Sequence, residues 1–304
     1  MHTFKLTILG SNSALPAYNR FPTSQVLNVS EKLYLIDCGE GTQINLSKYE
    51  IKRSKIQNIF ISHLHGDHYF GLVGLLTSYA LMGRKTPLTI FCPEGLQEII
   101  DIQVNASAGH LGYPINFETI DPFVHQLIYE NDDVTVHSLP ADHGMPCCGF
   151  LFTEKPHQKK ILKEKITEYN IGYEEIREIK TGANFTTTSG TIIPNEELTT
   201  PAPKSRSYAY SADTAYNEQL PQWISGVDLL YHEATFLAES EAIAADKKHS
   251  TTTQAANIAK LAKVNKLLIG HFSARYKVLD AFLEESKTVF ENTELAIEGE
   301  SFSV

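Results

Sequence analysis

The sequence predicts an α/β fold in which mixed β-sheet and helices form a sandwich. Segments with the length and apolar content of strands alternate with segments of helical length along most of the chain. With 304 residues, of which 42% are hydrophobic, the chain is long enough to bury one large core. Histidine and aspartate recur where predicted strands end. We therefore expect a single domain, residues 1–304, interrupted by one inserted arm.

The first third of the chain is predicted to contain four strands and two helices. Short apolar runs predict the strands, and two of them flank Ser30 and Glu31 in a hairpin. A glycine-flanked turn precedes the first helix, and an apolar stretch of helical length follows the last of these strands. The predicted strands are 5–10, 25–29, 32–37 and 56–61, and the helices are one carrying Ile44, Leu46 and Tyr49 and one at 70–81.

The rest of the chain continues the alternation of strands and helices. Either Ser250 or Thr251 is expected to cap a helix whose apolar face includes Ala255, Ala256, Ile258, Ala259 and Leu261. Further strands are predicted at 88–92, 115–120, 126–129, 134–139, 148–152, 208–212, 227–232, 266–269 and near 297, with a helix at 94–106.

Residues 62–68 (SHLHGDH) place four potential metal ligands at the end of the predicted strand 56–61. Residues two apart in extended chain point the same way, so His63 and His65 can bind one ion. Asp67 and His68 lie past Gly66, where the chain turns, and can reach a second ion. An isolated histidine at a strand end is usually an ordinary surface residue, but four ligands in seven residues are typical of a metal site. Imidazole and carboxylate ligands suit zinc, with manganese or iron possible.

Further candidate ligands lie on loops at the ends of later strands. His143 follows 134–139, Asp213 follows 208–212 and His271 follows 266–269. A carboxylate such as that of Asp213 can bridge two cations. His249 precedes a helix, where the alternative role is that of an ordinary residue at a helix cap.

Charge, cysteine spacing and the apolar stretches indicate where the protein acts and which partners it can bind. The formal net charge of −10 repels polyanions, so any contact with RNA must be local. Four cysteines without CxxC spacing, two of them adjacent at 147 and 148, predict buried free thiols. The start of the chain leads directly into a strand pattern, and no apolar stretch reaches the length of a membrane span. We expect a soluble, cytoplasmic protein with no membrane contact.

Taken together, these motifs resemble the metallo-β-lactamase superfamily, and within it ribonuclease Z, the branch that processes tRNA 3′ ends. The resemblance covers nearly the whole chain, from residue 9 to about 297. It implies a four-layer αββα sandwich, which some schemes class as α+β. Ala212 replaces a glycine of the family motif, and histidine at position 65 favours zinc over a redox iron pair. The motifs are HLHGDH, YLIDCGEGTQ, YSADT, HEATF, HST and HFSARY.

The resemblance also implies a set of roles for these side chains. It implies two Zn²⁺ per chain, with Mn²⁺ as a possible substitute. One zinc is expected to be held by His63, His65 and His143, the other by Asp67, His68 and His271, with Asp213 bridging. Asp67 is expected to orient the attacking hydroxide and act as general base. His249 is expected to protonate the leaving oxygen, with Glu233 or Asp37 supporting it or a ligand, and Arg275 to contact phosphate.

The function implied is that of a zinc-dependent endoribonuclease that removes the 3′ trailer from precursor tRNA. A metal-activated hydroxide would attack the phosphodiester, leaving a 3′-hydroxyl on the tRNA and a 5′-phosphate on the trailer. One alternative is a zinc phosphodiesterase acting on small or cyclic phosphodiesters, and another is a metal-stabilised RNA-binding subunit without catalysis. Family members are typically homodimers, so a homodimer is expected here.

The interval 154–206 is the predicted arm, because it is the longest stretch without a candidate ligand. Residues 155–165 contain five lysines and one glutamate, which is the densest positive stretch in the chain. We expect Lys159, Lys160 and Lys163 to contact tRNA phosphates, as the ribonuclease Z arm does, although a solvated helix face is the alternative. In place of a Gly-Pro-rich tip the chain has YNIGYEE at 169–175.

Overall fold

The computed structural model describes residues 3–107 and 109–304. The chain divides into two compact units. The first unit comprises Met1–Thr153 and Arg206–Val304, and the second unit comprises Glu154–Ser205.

The strands and helices are numbered in chain order. The strands are β1 Phe4–Gly10, β2 Ser24–Val29, β3 Lys32–Cys38, β4 Ile56–Phe60, β5 Leu88–Cys92, β6 Ile115–Thr119, β7 Leu127–Glu130, β8 Val134–Pro140, β9 Cys148–Glu154, β10 Lys160–Ile161, β11 Phe185–Thr186, β12 Ile192–Ile193, β13 Thr199–Thr200, β14 Ser207–Tyr210, β15 Leu229–Glu233, β16 Lys266–Gly270, β17 Thr293–Leu295 and β18 Ser301–Ser303. The helices are α1 Thr42–Lys48, α2 Gly66–Tyr69, α3 Leu72–Leu81, α4 Leu96–Ser107, α5 Lys163–Tyr169, α6 Tyr173–Lys180, α7 Asn195–Leu198, α8 Leu220–Trp223, α9 Glu241–Asp246, α10 Thr252–Ala262 and α11 Asp280–Val289.

The first unit contains two seven-stranded mixed sheets. The first sheet has the order β18-β1-β2-β3-β4-β5-β6, and the second has the order β17-β16-β15-β14-β9-β8-β7. Strands β3 to β6 pair in parallel, whereas β1, β2 and β3 pair antiparallel. In the second sheet β14 to β17 pair in parallel and β14 pairs antiparallel with β9.

Alternation of side chains along the strands builds the layers. On β3, Tyr34 and Ile36 lie in one buried cluster with residues of both sheets, while Leu33 and Leu35 lie in another with residues of α3 and α4. In the second sheet the outer cluster includes residues of α10 and α11. Successive side chains of a strand point to opposite faces, so each sheet is buried on both sides. The predicted four-layer αββα metallo-β-lactamase sandwich is confirmed.

Two glycines bring the histidine-rich segment close to the turn after β3. A Cβ atom on Gly71 would lie 2.1 Å from the carbonyl oxygen of Gly39, and a Cβ on Gly39 would lie 2.4 Å from that of Asp67. Neither position therefore tolerates a side chain. The predicted helix 70–81 in fact begins at Leu72, and residues 66–69 form the separate short helix α2.

Helix α10 begins with the predicted cap and differs from the prediction on one face. Thr251 is the N-cap, and it forms a capping box with Gln254. Ala255 and Ile258 are buried as expected. The assignment of Leu261 to the apolar face was wrong, because its side chain is 60% exposed. The predicted positions Ala256 and Ala259 are buried too, and the buried face continues to Ala262 rather than to Leu261.

The second unit has a small core of its own. Five side chains form its buried cluster, namely Ile171, Ile179, Phe185, Ile193 and Leu198. Two short antiparallel strand pairs, β10 with β13 and β11 with β12, accompany helices α5 to α7. Asn195 ties the unit together, since its side-chain amide donates to the carbonyl oxygens of Ile179 and Ala183, both at 2.7 Å.

Two further expectations concern the thiols and the membrane. All four cysteines are free and buried, as predicted. Within residues 3–107 and 109–304, no helix has the length and apolarity needed to cross a membrane.

Candidate metal centre

All seven candidate ligands lie in the first unit, in segments that follow the ends of strands; Asp67 and His68 are on the short helix α2 and the other five are on loops. His63, His65, Asp67 and His68 follow β4. The other three come from the second sheet, where His143 follows β8, Asp213 follows β14 and His271 follows β16. Only a few residues separate each candidate ligand from the end of its strand, so the strand fixes the position of the ligand side chain.

The first group of ligand atoms belongs to His63, His65, His143 and Asp213, which each offer one atom within 4.8 Å of the others. The Nδ1 atom of His65 lies 3.1 Å from Nε2 of His63 and 3.1 Å from Nε2 of His143. Three imidazole nitrogens and a carboxylate oxygen match the donor set of a tetrahedral zinc site.

The second group contains Asp67, His68 and His271, again with ligand atoms within 4.8 Å. Asp213 faces both groups. Its Oδ2 atom lies 3.3 Å from Nε2 of His68, 3.3 Å from Nε2 of His271 and 3.7 Å from Nε2 of His63. A carboxylate in this position can bridge two cations.

Buried atoms without partners test whether cations fit here. Among the described residues, Nε2 of His68, Nε2 of His271 and Oδ1 of Asp213 are buried and have no hydrogen-bond partner. Leaving such an atom unsatisfied costs on the order of 1–3 kcal/mol, and coordination to a cation would remove that cost. The residues therefore fit a pair of divalent cations.

The electrostatics of His68 support the same conclusion. Burial lowers the pKa of its imidazole, but the carboxylates of Asp213, Asp67 and Asp37 outweigh burial and hold that pKa well above its ordinary value. Asp213 is fully buried, and although burial raises its pKa, the neighbouring histidines hold it well below its usual range. Three carboxylates around one buried imidazole leave negative charge that a cation would neutralise.

Three of the candidate ligand imidazoles each have a partner on the nitrogen that faces away from the cluster. Nδ1 of His68 lies 2.8 Å from Oδ2 of Asp37, and Asp37 also accepts from Ser62 and Tyr210. Nδ1 of His143 donates to the carbonyl oxygen of Lys248 at 2.9 Å. For His271 the partner is the hydroxyl of Thr235, also at 2.9 Å. These bonds fix which nitrogen faces the ions.

His249 and Glu233 form a pair beside the ligands. Nδ1 of His249 lies 2.8 Å from Oε1 of Glu233, which is fully buried and also accepts from the backbone of Thr214. Burial lowers the pKa of His249, but the attraction of Glu233 outweighs it and raises that pKa to about 9. The ring of His249 is 5.2 Å from that of His143 and 5.3 Å from that of His271, centre to centre.

The loop after β1 makes a contact that the sequence did not indicate. The backbone N–H of Ala14 donates to Oδ2 of Asp67 at 2.7 Å. Two side chains hold this loop: Glu298 accepts from the backbone N–H of Phe21 at 2.5 Å, and Arg20 donates to Oδ1 of Asn12 at 2.9 Å. A backbone donor leaves no residue-type signal, which is why the sequence predicted only a loop here.

A cavity of about 380 Å³ opens onto this cluster. Its lining includes Asp67, Asp213 and His249, together with Ala14 and the ring of Phe70. Two of the catalytic candidates, Asp67 and His249, therefore line one accessible space. Four candidate ligands line it as well, namely His65, Asp67, Asp213 and His271, and the space is concave enough for a substrate group. The third catalytic candidate, Glu233, is fully buried behind His249.

Comparisons with known proteins identify the family. A family model described as Anti-Pycsar protein Apyc1 matches residues 4–280. Ribonuclease Z of Phocaeicola vulgatus is 44% identical over 304 residues, which is 100% of this chain and 98% of that protein. Ribonuclease Z of Cytophaga hutchinsonii is 46% identical over 302 residues, covering 99% of this chain and 96% of that protein. The chain belongs to the ribonuclease Z family. It is accordingly a metal-dependent endoribonuclease.

Solved structures agree with this membership. Human tRNase Z, short form, is 26% identical with a TM-score of 0.71 and covers 99% of each chain. The metallo-β-lactamase fold protein YhfI from Bacillus subtilis is 20% identical with a TM-score of 0.71 and covers 100% of each chain. The second likeness concerns the fold alone.

The remaining predicted site residues are Arg275 in the first unit and three lysines in the second unit. Arg275 is exposed, and its guanidinium carbon lies 5.8 Å from the ring centre of Phe236. In the second unit Nζ of Lys159 donates to Oδ1 of Asn195 at 2.7 Å. Lys160 lies on β10 and Lys163 begins α5, and both are exposed. The three lysines thus do not share one helix face, and Lys159 already has a structural partner in this member of the ribonuclease Z family.

Proposed function

We propose that this chain is a zinc-dependent endoribonuclease that removes the 3′ trailer from precursor tRNA. The observation that carries the proposal is the convergence of seven ligands beside the His249–Glu233 pair. Membership of the ribonuclease Z family supplies the substrate class, since human tRNase Z resembles the chain over 99% of its length.

The proposed metal assignments follow the two groups of ligand atoms. His63, His65 and His143 would hold one zinc, Asp67, His68 and His271 the other, and Asp213 would lie between them. Imidazole and carboxylate ligands suit Zn²⁺, and Mn²⁺ could replace it. When bound, the two cations supply Lewis acidity, which polarises a phosphodiester and lowers the pKa of a water molecule.

Asp67 is the proposed general base. Its Oδ2 atom lies in the cavity and is held by the N–H of Ala14, so the carboxylate keeps a fixed position. From there it would orient the attacking water and take its proton while the water oxygen bonds to phosphorus. Asp67 is thus proposed both as a ligand and as the base.

His249 is the proposed general acid. As the bond between phosphorus and the 3′ oxygen breaks, His249 would give its proton to that oxygen, leaving a 3′-hydroxyl on the tRNA and a 5′-phosphate on the trailer. Glu233 would position His249 through the 2.8 Å contact with Nδ1, which leaves Nε2 for the substrate. Arg275 would contact a phosphate, because its guanidinium is exposed.

The second unit is the proposed tRNA-binding arm, corresponding to the interval 154–206. Lys160 and Lys163 are proposed to contact phosphates, since both side chains are exposed. Lys159 would contribute less than first expected, because its ammonium is bound to Asn195. We also propose a homodimer, and light scattering at micromolar concentration would test this by giving twice the chain mass of 33.9 kDa.

Hydrolysis of small or cyclic phosphodiesters is the second candidate. The described residues that line the cavity at the ligands belong to the first unit, so we propose that the chemistry itself uses groups of that unit. A small diester could therefore be a substrate in its own right.

The deciding experiment compares two substrates on one preparation. Zinc-loaded protein should cleave unprocessed tRNA at the 3′ end of the mature sequence with far higher kcat/KM than bis-p-nitrophenyl phosphate. Metal analysis should give about two zinc ions per chain. Efficient cleavage of the small diester with no cleavage of precursor tRNA would contradict the proposal and favour the second candidate.

A further inference from the structure

A second cavity of about 640 Å³ lies in the first unit beside the metal cluster. Its walls come from the segments after β4, β5 and β6 and from the loop that carries His143. Leu64 lines this cavity, while the next residue, His65, lines the cavity at the ligands. Met145, two residues after His143, lies on the opposite wall segment. Among the described residues the two cavities share no lining residue. They are nevertheless neighbours, because Leu64 and His65 are consecutive in the chain and line one cavity each.

The wall of this second cavity is mainly apolar and carries an exposed aromatic ring. Leu64, Ile120 and Met145 supply aliphatic surface. Phe123 is 70% exposed although its ring belongs to the lining, which is unusual for so large an apolar side chain. Its backbone N–H donates to Oδ1 of Asp121 at 3.0 Å, so the turn that presents the ring is fixed.

Two carboxylates complete the lining and define what can enter. Glu94 and Asp121 are both exposed at the cavity, and no lysine or arginine belongs to its lining. Like charge excludes a phosphate group from this space. The same oxygens accept hydrogen bonds from N–H groups, as carboxylates do from the amino group of cytosine.

We propose that this cavity is a subsite for a nucleobase next to the cleaved phosphodiester, and that it prefers a base with an exocyclic amino group. The base would stack on Phe123 while its amino group donates to Glu94 or Asp121. A flat apolar group with N–H donors at its edge matches the ring, the aliphatic wall and the carboxylates, and the volume is in the range of small-molecule pockets, about 300–1,000 Å³. This inference rests on the proposed function, because it requires an RNA substrate at the metal cluster.

The test uses precursor tRNAs that carry one abasic nucleotide, placed in turn at each position near the cleaved bond. One position should lower kcat/KM of the wild-type protein by about tenfold, which is the size of a lost stacking contact. Phe123→Ala should lower kcat/KM by a similar factor on the intact substrate and should have no further effect on that abasic substrate. Val124→Ala, an equally accessible change outside the cavity, is the matched control and should behave as wild type.

A separate experiment tests the preference for a base with an exocyclic amino group. Uracil at the sensitive position should be cleaved several-fold more slowly than cytosine, and Glu94→Gln with Asp121→Asn should abolish that difference. Equal rates for uracil and cytosine in the wild type would overturn the preference.

Other outcomes overturn the subsite itself. If Phe123→Ala loses activity equally on intact, abasic and bis-p-nitrophenyl phosphate substrates, Phe123 supports the fold and no base binds it. If no abasic position matters, the cavity holds no base. Failure of the wild-type protein to cleave any precursor tRNA would instead refute the proposed function, and this inference with it.

Discussion

The two units of the chain hold their polar side chains in different ways. In the first unit four of the seven candidate ligands are buried, and hydrogen bonds hold them in place: Asp37 alone is hydrogen-bonded to Ser62, His68 and Tyr210. In the second unit Lys160 and Lys163 are exposed, and one buried amide, that of Asn195, links its segments. Groups that perform chemistry need fixed positions, whereas groups that bind a polyanion need only charge within reach. This difference is what the proposed division predicts, in which the first unit carries out the chemistry and the second unit selects the substrate.

The largest effect should come from Asp67. Asp67→Ala removes the proposed base and one ligand oxygen, so turnover of precursor tRNA and of a small diester should both fall by about 1,000-fold or more. Asp101→Ala is the matched control, because Asp101 is an exposed carboxylate on helix α4 of the same unit. Circular dichroism should show both variants folded. If Asp67→Ala lost activity on only one of the two substrates, precursor tRNA and the small diester would not be cleaved at the same centre.

His249→Ala should lower precursor-tRNA cleavage by about 100-fold. The loss on bis-p-nitrophenyl phosphate should be much smaller, because nitrophenolate leaves without a proton. His110→Ala, an exposed histidine of the same unit, is the control. The geometry also allows a rival role, since ligand atoms of His249, Asp213 and His271 lie within 4.8 Å of one another. A variant that loses a zinc ion in metal analysis would show that His249 is a ligand.

Asn195→Ala should destabilise the second unit while sparing the chemistry. The change leaves the buried carbonyl oxygen of Ile179, the partly buried carbonyl oxygen of Ala183 and the ammonium of Lys159 without their partner, at a cost of about 2–4 kcal/mol. Hydrogen exchange should accelerate across 154–205 alone, and small-diester hydrolysis should stay near wild type. The surface variant Asn116→Ala is the control. Faster exchange throughout the chain would mean that the two units do not unfold separately.

Neutralising Lys160 and Lys163 should weaken precursor-tRNA binding by about tenfold and flatten its dependence on salt. Each lost phosphate contact should lower the slope of log K against log salt by up to about one. Lys159→Met should instead act mainly on the stability of the second unit, through Asn195. If the double variant bound precursor tRNA as tightly as wild type, Lys160 and Lys163 would not contribute to substrate binding.

Glu298 offers a smaller, pH-dependent test of the first unit. Burial raises the pKa of its carboxyl from 4.5 to about 7. The neutral form is favoured in the folded state, so this contribution to stability is complete below pH 4.5 and is lost as pH rises through about 7. Glu298→Gln keeps the acceptor for Phe21 and cannot ionise. Its free energy of unfolding relative to wild type, from urea titrations, should improve by about 1 kcal/mol between pH 5 and 8. If the difference in free energy of unfolding between Glu298→Gln and wild type stayed constant from pH 5 to 8, the Glu298 carboxyl would not titrate in this range.

Most of the ligand cluster could be predicted from sequence because it consists of residue types at strand ends. His63 and His65 are two residues apart, and His143, Asp213 and His271 each follow an apolar strand. What the sequence did not indicate are contacts made by the backbone: the N–H of Ala14 on Asp67 and the carbonyl of Lys248 on His143. Such donors and acceptors exist at every residue, so no pattern distinguishes them.

The same limit applies to the second unit. The run of lysines at 155–165 predicted that Lys159, Lys160 and Lys163 contact phosphates together, but the run is divided between β10 and α5. Lys159 is drawn to Asn195, which lies 36 residues later in the chain. Contacts between distant positions depend on the tertiary fold, which the local pattern does not contain. The exposed Leu261 on α10 is a similar case, since an apolar residue in a helix does not by itself fix the buried stripe.

The most direct test of the division between the units is to remove the second one. Thr153 on β9 is the register partner of Ser207 on β14, so the chain can be rejoined as a hairpin by replacing residues 155–205 with Asn-Gly. The proposal predicts that this variant keeps about two zinc ions and small-diester hydrolysis within about threefold of the intact chain, while precursor-tRNA cleavage falls by about 100-fold or more. Equal loss of both activities in a folded, zinc-loaded variant, or retention of both, would contradict it.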